Sequence, residues 1–134
     1  MFRLKENLTV KVRSGRVFSL KKGVYCYCGS AMGSLEKRVL RHLKREKKRH
    51  WHLDFITTDS RFEPVEVWVF REKEFECSLA ESLKGSEPVV GFGATDCRCE
   101  SHLFRLKDLE VEREKAKNLG AEIIDAGEVV RRWK

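Results

Sequence analysis

Leu8, Val10 and Val12 alternate with Thr9 and Lys11, Ser14-Gly15 supplies a turn, and Val17, Phe18 and Leu20 resume the apolar run. This pattern predicts a β-hairpin. A second turn at Lys21-Lys22-Gly23 leads into Val24-Tyr25-Cys26-Tyr27-Cys28, whose aromatic and β-branched content predicts a strand. Alternation sets Tyr25 and Tyr27 on one face and Val24, Cys26 and Cys28 on the other. Leu35, Val39, Leu40 and Leu43 then fall on one helical arc, predicting a helix over 35–49 with Ser34 as N-cap and Glu36 in its first turn. His50 to Ile56 reads as a strand, Thr57 to Phe62 as a loop, and Pro64 to Arg71 as a mostly buried strand. Phe75, Leu79 and Leu83 stripe a second helix over 74–84, which Gly85 ends. Asp108 to Leu119 is helical, Ala121 to Ile124 a short strand, and Glu128 to Trp133 a last helical turn. The order of elements predicts an α+β fold: a small central mixed or antiparallel sheet, flanked by helices, holding both 24–28 and 64–70.

The chain has 134 residues, 41% hydrophobic and 37% charged, which predicts one soluble domain with a modest core. Its charge is uneven. Residues 1–50 hold 15 Lys/Arg against 3 Asp/Glu, whereas residues 51–134 hold 13 against 18. A basic half of this kind is the footprint of a polyanion binder, most simply DNA, although a solvated lysine-rich face has the same composition. No apolar run approaches the roughly 18–20 residues of a membrane span. The segment MFRLKENLTV lacks the pattern of a signal peptide, so the expected location is cytoplasmic and no membrane partner is expected.

The basic half converges on Tyr27 to His42, YCGSAMGSLEKRVLRH. A strand ends in an aromatic and a glycine, crosses a small-residue turn and enters a helix carrying Arg38, Arg41 and His42. Backbone N–H groups, the helix dipole and an arginine fork can all address one anion at such a junction. Arg38 in the first turn is placed for an oxyanion. His42, at the margin of the apolar arc, reads as either a buried hydrogen-bond partner or a catalyst. Arg41, Arg45, Lys48 and Arg49 extend the basic surface for a nucleic-acid backbone.

Other clusters leave alternatives. His50, His52 and Asp54 share one parity and suit either a metal or a polar strand face. Glu76 lies at the edge of its helix's apolar stripe, as a metal ligand, a salt-bridge partner or a solvated side chain. Cys97-x-Cys99 with His102, and Cys77 through space, forms a candidate structural zinc site, against buried or hydrogen-bonded thiols. Cys26 and Cys28 are expected as small core residues.

The motifs YCG, HWHLDF, FECSLAESL and GFGATDCRCESHLF occur in that order. Together they resemble the GIY-YIG nuclease superfamily, and within it a family of small uncharacterised GIY-YIG-like proteins, some fused to an endonuclease III-type DNA glycosylase. The resemblance spans roughly residues 3–106, leaving 107–134 as a C-terminal extension of unknown role. It implies a metal-dependent endonuclease acting on DNA phosphodiesters, with a place in DNA repair. By resemblance Tyr27 matches the YIG tyrosine, Arg38 the catalytic arginine, His42 the histidine that follows it, and Glu76 the ligand of one Mg²⁺ or Mn²⁺. One half of the motif is missing: no Gly-x-Tyr precedes residue 12. Phe2 stands in that area, and Tyr25 is the candidate substitute. The alternatives are a non-catalytic nucleic-acid-binding module on the same fold, and a zinc-stabilised protein-interaction domain built on the Cys97–His102 segment.

Overall fold

The computed structural model describes residues 1–28, 35–49, 52–70, 87–90, 92, 101 and 103–133. In chain order the elements are β1 (Phe2–Leu4), β2 (Leu8–Lys11), β3 (Val17–Leu20), β4 (Gly23–Tyr27), α1 (Leu35–Leu43), α2 (Asp54–Thr57), β5 (Phe62–Pro64), β6 (Glu66–Val69), β7 (Glu87–Pro88), β8 (Leu103–Arg105), α3 (Leu109–Asn118), β9 (Glu122–Asp125) and α4 (Ala126–Trp133). The fold is α+β. Among the described residues its main sheet is antiparallel, five strands in the order β5-β1-β4-β8-β7, so the 23–27 strand is central as its composition predicts. No helix among the described residues is long and apolar enough to cross a membrane.

The β2–β3 hairpin forms in the expected register, Val10 opposite Phe18, with Gly15 at φ 91° in the turn, a region that glycine enters without a Cβ clash. It lies over one face of the main sheet. There Leu8, Val10, Phe18 and Leu20 join Phe2, Leu4, Tyr25, Ile56, Phe92 and Leu103 in the largest core cluster. Cys26, Cys28, Phe104 and Leu106 form a second cluster on the opposite face, where both thiols are buried as expected. A third cluster joins Leu35, Val39, Leu40 and Leu43 of α1 to Val69, Ile124 and Val129. The apolar stripe of α1 therefore faces β6, β9 and α4.

Three expectations are corrected. The run His52–Thr57 is not a strand. Leu53 O accepts from both Ile56 N and Thr57 N, closing a helical turn in which Asp54 and Ile56 are buried. Helix α1 ends at Leu43 instead of near residue 49, because the Lys47 ammonium folds back onto the Arg41 and His42 carbonyls at 2.7 and 2.9 Å. Those terminal acceptors are thereby satisfied and the helix stops. Pro64 to Arg71 is not one strand in the sheet of β4. Residues 62–64 pair with β1, while Glu66–Val69 pairs with β9 in a separate two-stranded sheet. The segment 107–134 is thus knitted into the fold. Asp108 caps α3 by accepting from Glu110 N and Val111 N, and Arg113 forks onto Glu66 at 2.8 and 3.3 Å. The expected helix over 74–84 lies outside the described residues.

Candidate functional site

Pairing of β4 with β1 and β8 fixes where its tyrosines sit: Tyr25 lies opposite Phe2 and Arg105, and Tyr27 opposite Leu103. The two share a face but not an environment. Tyr25 is 1% exposed, stacks on Phe2 with ring centroids 5.4 Å apart, and donates its hydroxyl to the Lys21 carbonyl at 2.5 Å. Its phenol is held inside the core, with its proton on a main-chain acceptor. Tyr27 ends the strand and is half-buried, its ring edge-on to His42 at 6.1 Å and to Phe92 at 6.3 Å.

His42 reaches Tyr27 from α1, one helical turn after Arg38. Burial pushes its imidazole down to about 4, helped by the positive charges of Lys47, Arg41 and Arg38 and opposed by Asp54. It is therefore neutral at physiological pH, and a weak base. The Tyr27 and His42 rings meet, and the Arg38 charge is among those that act on the imidazole.

Arg41 does not stand with the exposed cations. Its guanidinium grips Asp54 in a two-toothed pair, Nη1 to Oδ1 at 2.8 Å and Nη2 to Oδ2 at 2.9 Å. Asp54 is 0% exposed, and the Lys47 ammonium lies 3.7 Å from its Oδ1. The pairing holds Arg41 firmly protonated, whereas burial pulls Lys47 down to about 8. This Arg41–Asp54–Lys47 network was not legible as a unit. Its one signal was an aspartate amid apolar letters in HWHLDF, which alternation assigned to a strand face.

The remaining cations are exposed. Arg45 lies over the Phe62 ring at 5.3 Å and donates to the Asp59 carbonyl, Arg49 lies over Phe55 at 5.4 Å, and the Lys48 main chain accepts from Arg41 at 3.3 Å. His52 sits between the Phe18 and Phe92 rings, at 5.7 and 5.3 Å, and burial lowers its pKa. Asp54 is engaged with Arg41 and Lys47, whereas His52 packs among aromatic rings. Glu76, His50, Cys77, Cys97, Cys99 and His102 lie outside the described residues. Phe92, which walls Tyr27, was not singled out from the sequence.

Neither the curated proteins nor the solved structures contain a match to this chain. A family model described as a domain of unknown function, DUF123, matches residues 1–124, from β1 into β9, and the chain belongs to that family.

Proposed function

We propose that this protein is a metal-dependent, GIY-YIG-like DNA endonuclease that hydrolyses a phosphodiester in the cytoplasm, with DNA repair as its setting. The observation that carries the reading is the edge contact of Tyr27 with a neutral His42, one turn from Arg38 at the basic end of the chain. An anionic phosphodiester repels hydroxide, so guanidinium charge must be in place as the pentacoordinate transition state forms. Arg38 supplies it. Between the two proton carriers, His42 is too weak a base at about 4, which leaves the Tyr27 phenol to orient the attacking water and take its proton. A tyrosine titrates ordinarily near 10 and needs adjacent positive charge to do so, which Arg38 also provides. His42 orients the phenol and excludes water from one side of it.

By the resemblance, Glu76 would hold the metal. Asp54, the buried carboxylate whose charge reaches His42, is engaged with Arg41 and Lys47. Mg²⁺ or Mn²⁺ on Glu76 would add Lewis-acid polarisation of the phosphate, the chemistry suited to a hard, hydrated cation with few protein ligands.

The test is incubation with branched, single-stranded and duplex DNA in Mg²⁺ or Mn²⁺. Cleavage is expected, abolished by Glu76→Gln with DNA binding retained, and both impaired by Arg38→Ala. Absence of metal-dependent cleavage on every substrate sinks the nuclease. One observation favours the second reading, a binding module without catalysis: the residue across from Tyr25 is Phe2, and the Tyr25 hydroxyl is directed into the core. No second phenol then stands in for the missing Gly-x-Tyr. DNA binding without cleavage selects that reading.

A further inference from the structure

A cleft of about 320 Å³ opens beside Tyr25, between β3 on one side and the segment Pro88–Val90 with Arg105 on the other. Three cations line it: Arg16, Lys21 and Arg105. No carboxylate is among the described residues of its lining. The two guanidinium groups are held in place by several contacts. Arg16 spans the mouth, donating to the Val90 carbonyl at 3.3 Å while its guanidinium lies 5.0 Å from the Phe18 ring centroid. The Lys21 main chain is anchored by the Tyr25 hydroxyl. Arg105 donates Nε and Nη2 to the Lys22 carbonyl at 3.3 and 3.1 Å. It lies flat across Gly23, where an added Cβ would meet Nε at 2.9 Å and where φ is 151°. The backbone angle favours glycine there, and any larger residue would displace the Arg105 guanidinium.

The cleft and the Tyr27 site are neighbours on one sheet face. Tyr25 and Arg105 form one rung, Tyr27 and Leu103 the next rung on that face, about 7 Å further along the strands. Phe18 lines the cleft and touches Phe92, which touches Tyr27. That step is comparable to one nucleotide of an extended strand. At the lower end of ligand-cleft volumes, the space admits a single strand and excludes a duplex. Val17 and Val90, 55% and 57% exposed at the rim, offer apolar surface to sugars. Catalysis by Tyr27 leaves all of this unexplained.

We propose that this cleft holds the phosphodiester backbone of a single nucleic-acid strand flanking the phosphate at Tyr27, with Arg16, Lys21 and Arg105 on its phosphates. The inference rests on the proposed function for the position of the reacting phosphate. It adds the substrate class: a nucleic acid with a single-stranded segment beside the site, such as a flap, branch or splayed end.

The experiment compares two triple variants in binding to an oligothymidylate carrying photoreactive 4-thiothymidine, over a salt series. Arg16→Gln/Lys21→Gln/Arg105→Gln is expected to bind about a hundred-fold more weakly at 0.1 M salt, with the slope of log K against log salt smaller by about 2, as for three lost single-strand contacts. Ultraviolet crosslinks from the wild-type protein are expected within residues 16–25 and 88–90. The crosslink map needs no variant and so stands if Arg105→Gln harms folding. The second triple, Arg45→Gln/Lys48→Gln/Arg49→Gln, separates the two readings. If it loses binding while the cleft triple keeps the wild-type slope and crosslinks fall only on 35–49, the cleft assignment is overturned and the nucleic-acid reading survives. Failure of the wild-type protein to bind any DNA overturns both. Tighter binding of a polyglutamate peptide than of the oligonucleotide, lost in the cleft triple, overturns the strand as occupant.

Discussion

Asp54→Asn removes one negative charge at nearly constant volume, from a carboxylate that is 0% exposed and gripped by Arg41 at 2.8 and 2.9 Å. Afterwards two cations face each other across a neutral amide, the Arg41 guanidinium and the Lys47 ammonium. Breaking one partner of a buried ion pair costs about 3–5 kcal/mol, because a charge is left unneutralised away from water. The lower end applies here, since the Arg41 side chain is 33% exposed and can regain hydration, whereas Lys47 at 6% cannot. The expected loss is about 3 kcal/mol, or roughly 10 °C in melting temperature for a domain of this size. Urea unfolding and thermal melts at pH 7 read it directly. Arg41→Gln is expected to cost a similar amount, and the double variant less than the two losses added, with a coupling of at least about 1.5 kcal/mol. Arg41→Gln is further expected to leave the salt slope of DNA binding unchanged, unlike the loss of a phosphate contact. Two single variants each within about 1 kcal/mol of the wild-type protein, or strict additivity, would refute the network.

Two further predictions follow from the site. Folding lowers the His42 pKa from 6.5 to about 4, so the protonated unfolded state gains on the folded one as pH falls between those values. Stability is full above pH 6.5 and drops by about 3 kcal/mol toward pH 4, measured by urea unfolding, and His42→Gln is expected to remove most of that dependence. An unchanged pH profile in His42→Gln would assign the acid sensitivity elsewhere. Tyr27→Phe is expected to abolish cleavage with binding retained, while Tyr25→Phe keeps cleavage and costs about 1 kcal/mol of stability; the opposite pattern would exchange their roles.

What the sequence disclosed and what it concealed divide along range. The β2–β3 hairpin and the β4 strand were readable because alternation and turn residues sit within a few positions of what they determine. The Tyr27–His42 ring contact joins residues that the sequence places close together, on a strand and on the helix that follows it. The run His50–Ile56 misled because a handful of mixed polar and apolar letters fits period 2 as well as one helical turn. The deciding contact, Asp54 to Arg41, joins residues thirteen positions apart. The apolar run at 64–70 gave no sign that it would split. Pro64 pairs with Phe2, and the following strand takes its partner from Glu122–Asp125, a segment the motif resemblance had left outside the domain.

The same long-range contacts redraw the basic surface. A helix running through residue 49 would align Arg38, His42, Arg45 and Arg49 in one stripe, a straight cationic rail for a duplex. Lys47 prevents this by turning back on the α1 carbonyls, and the chain leaves the helix at Lys44. Arg45 then lies over Phe62 of β5 and Arg49 over Phe55 of α2, so the two cations of this loop pack against different elements. Arg41, which would have sat beside the rail, is drawn inward by Asp54. The charge available to a polyanion is therefore not linear. Part of it stands on the loop after α1, and part lines the cleft at Arg16, Lys21 and Arg105. The Tyr27 strand reaches the cleft by way of Tyr25. On the proposed function, cations divided between two places of the fold suit a bent or branched nucleic acid, whose strands diverge to meet both groups. Among the cleavage substrates, branched DNA is accordingly expected to be cut in preference to continuous duplex, and equal rates on the two would count against this division of the charge.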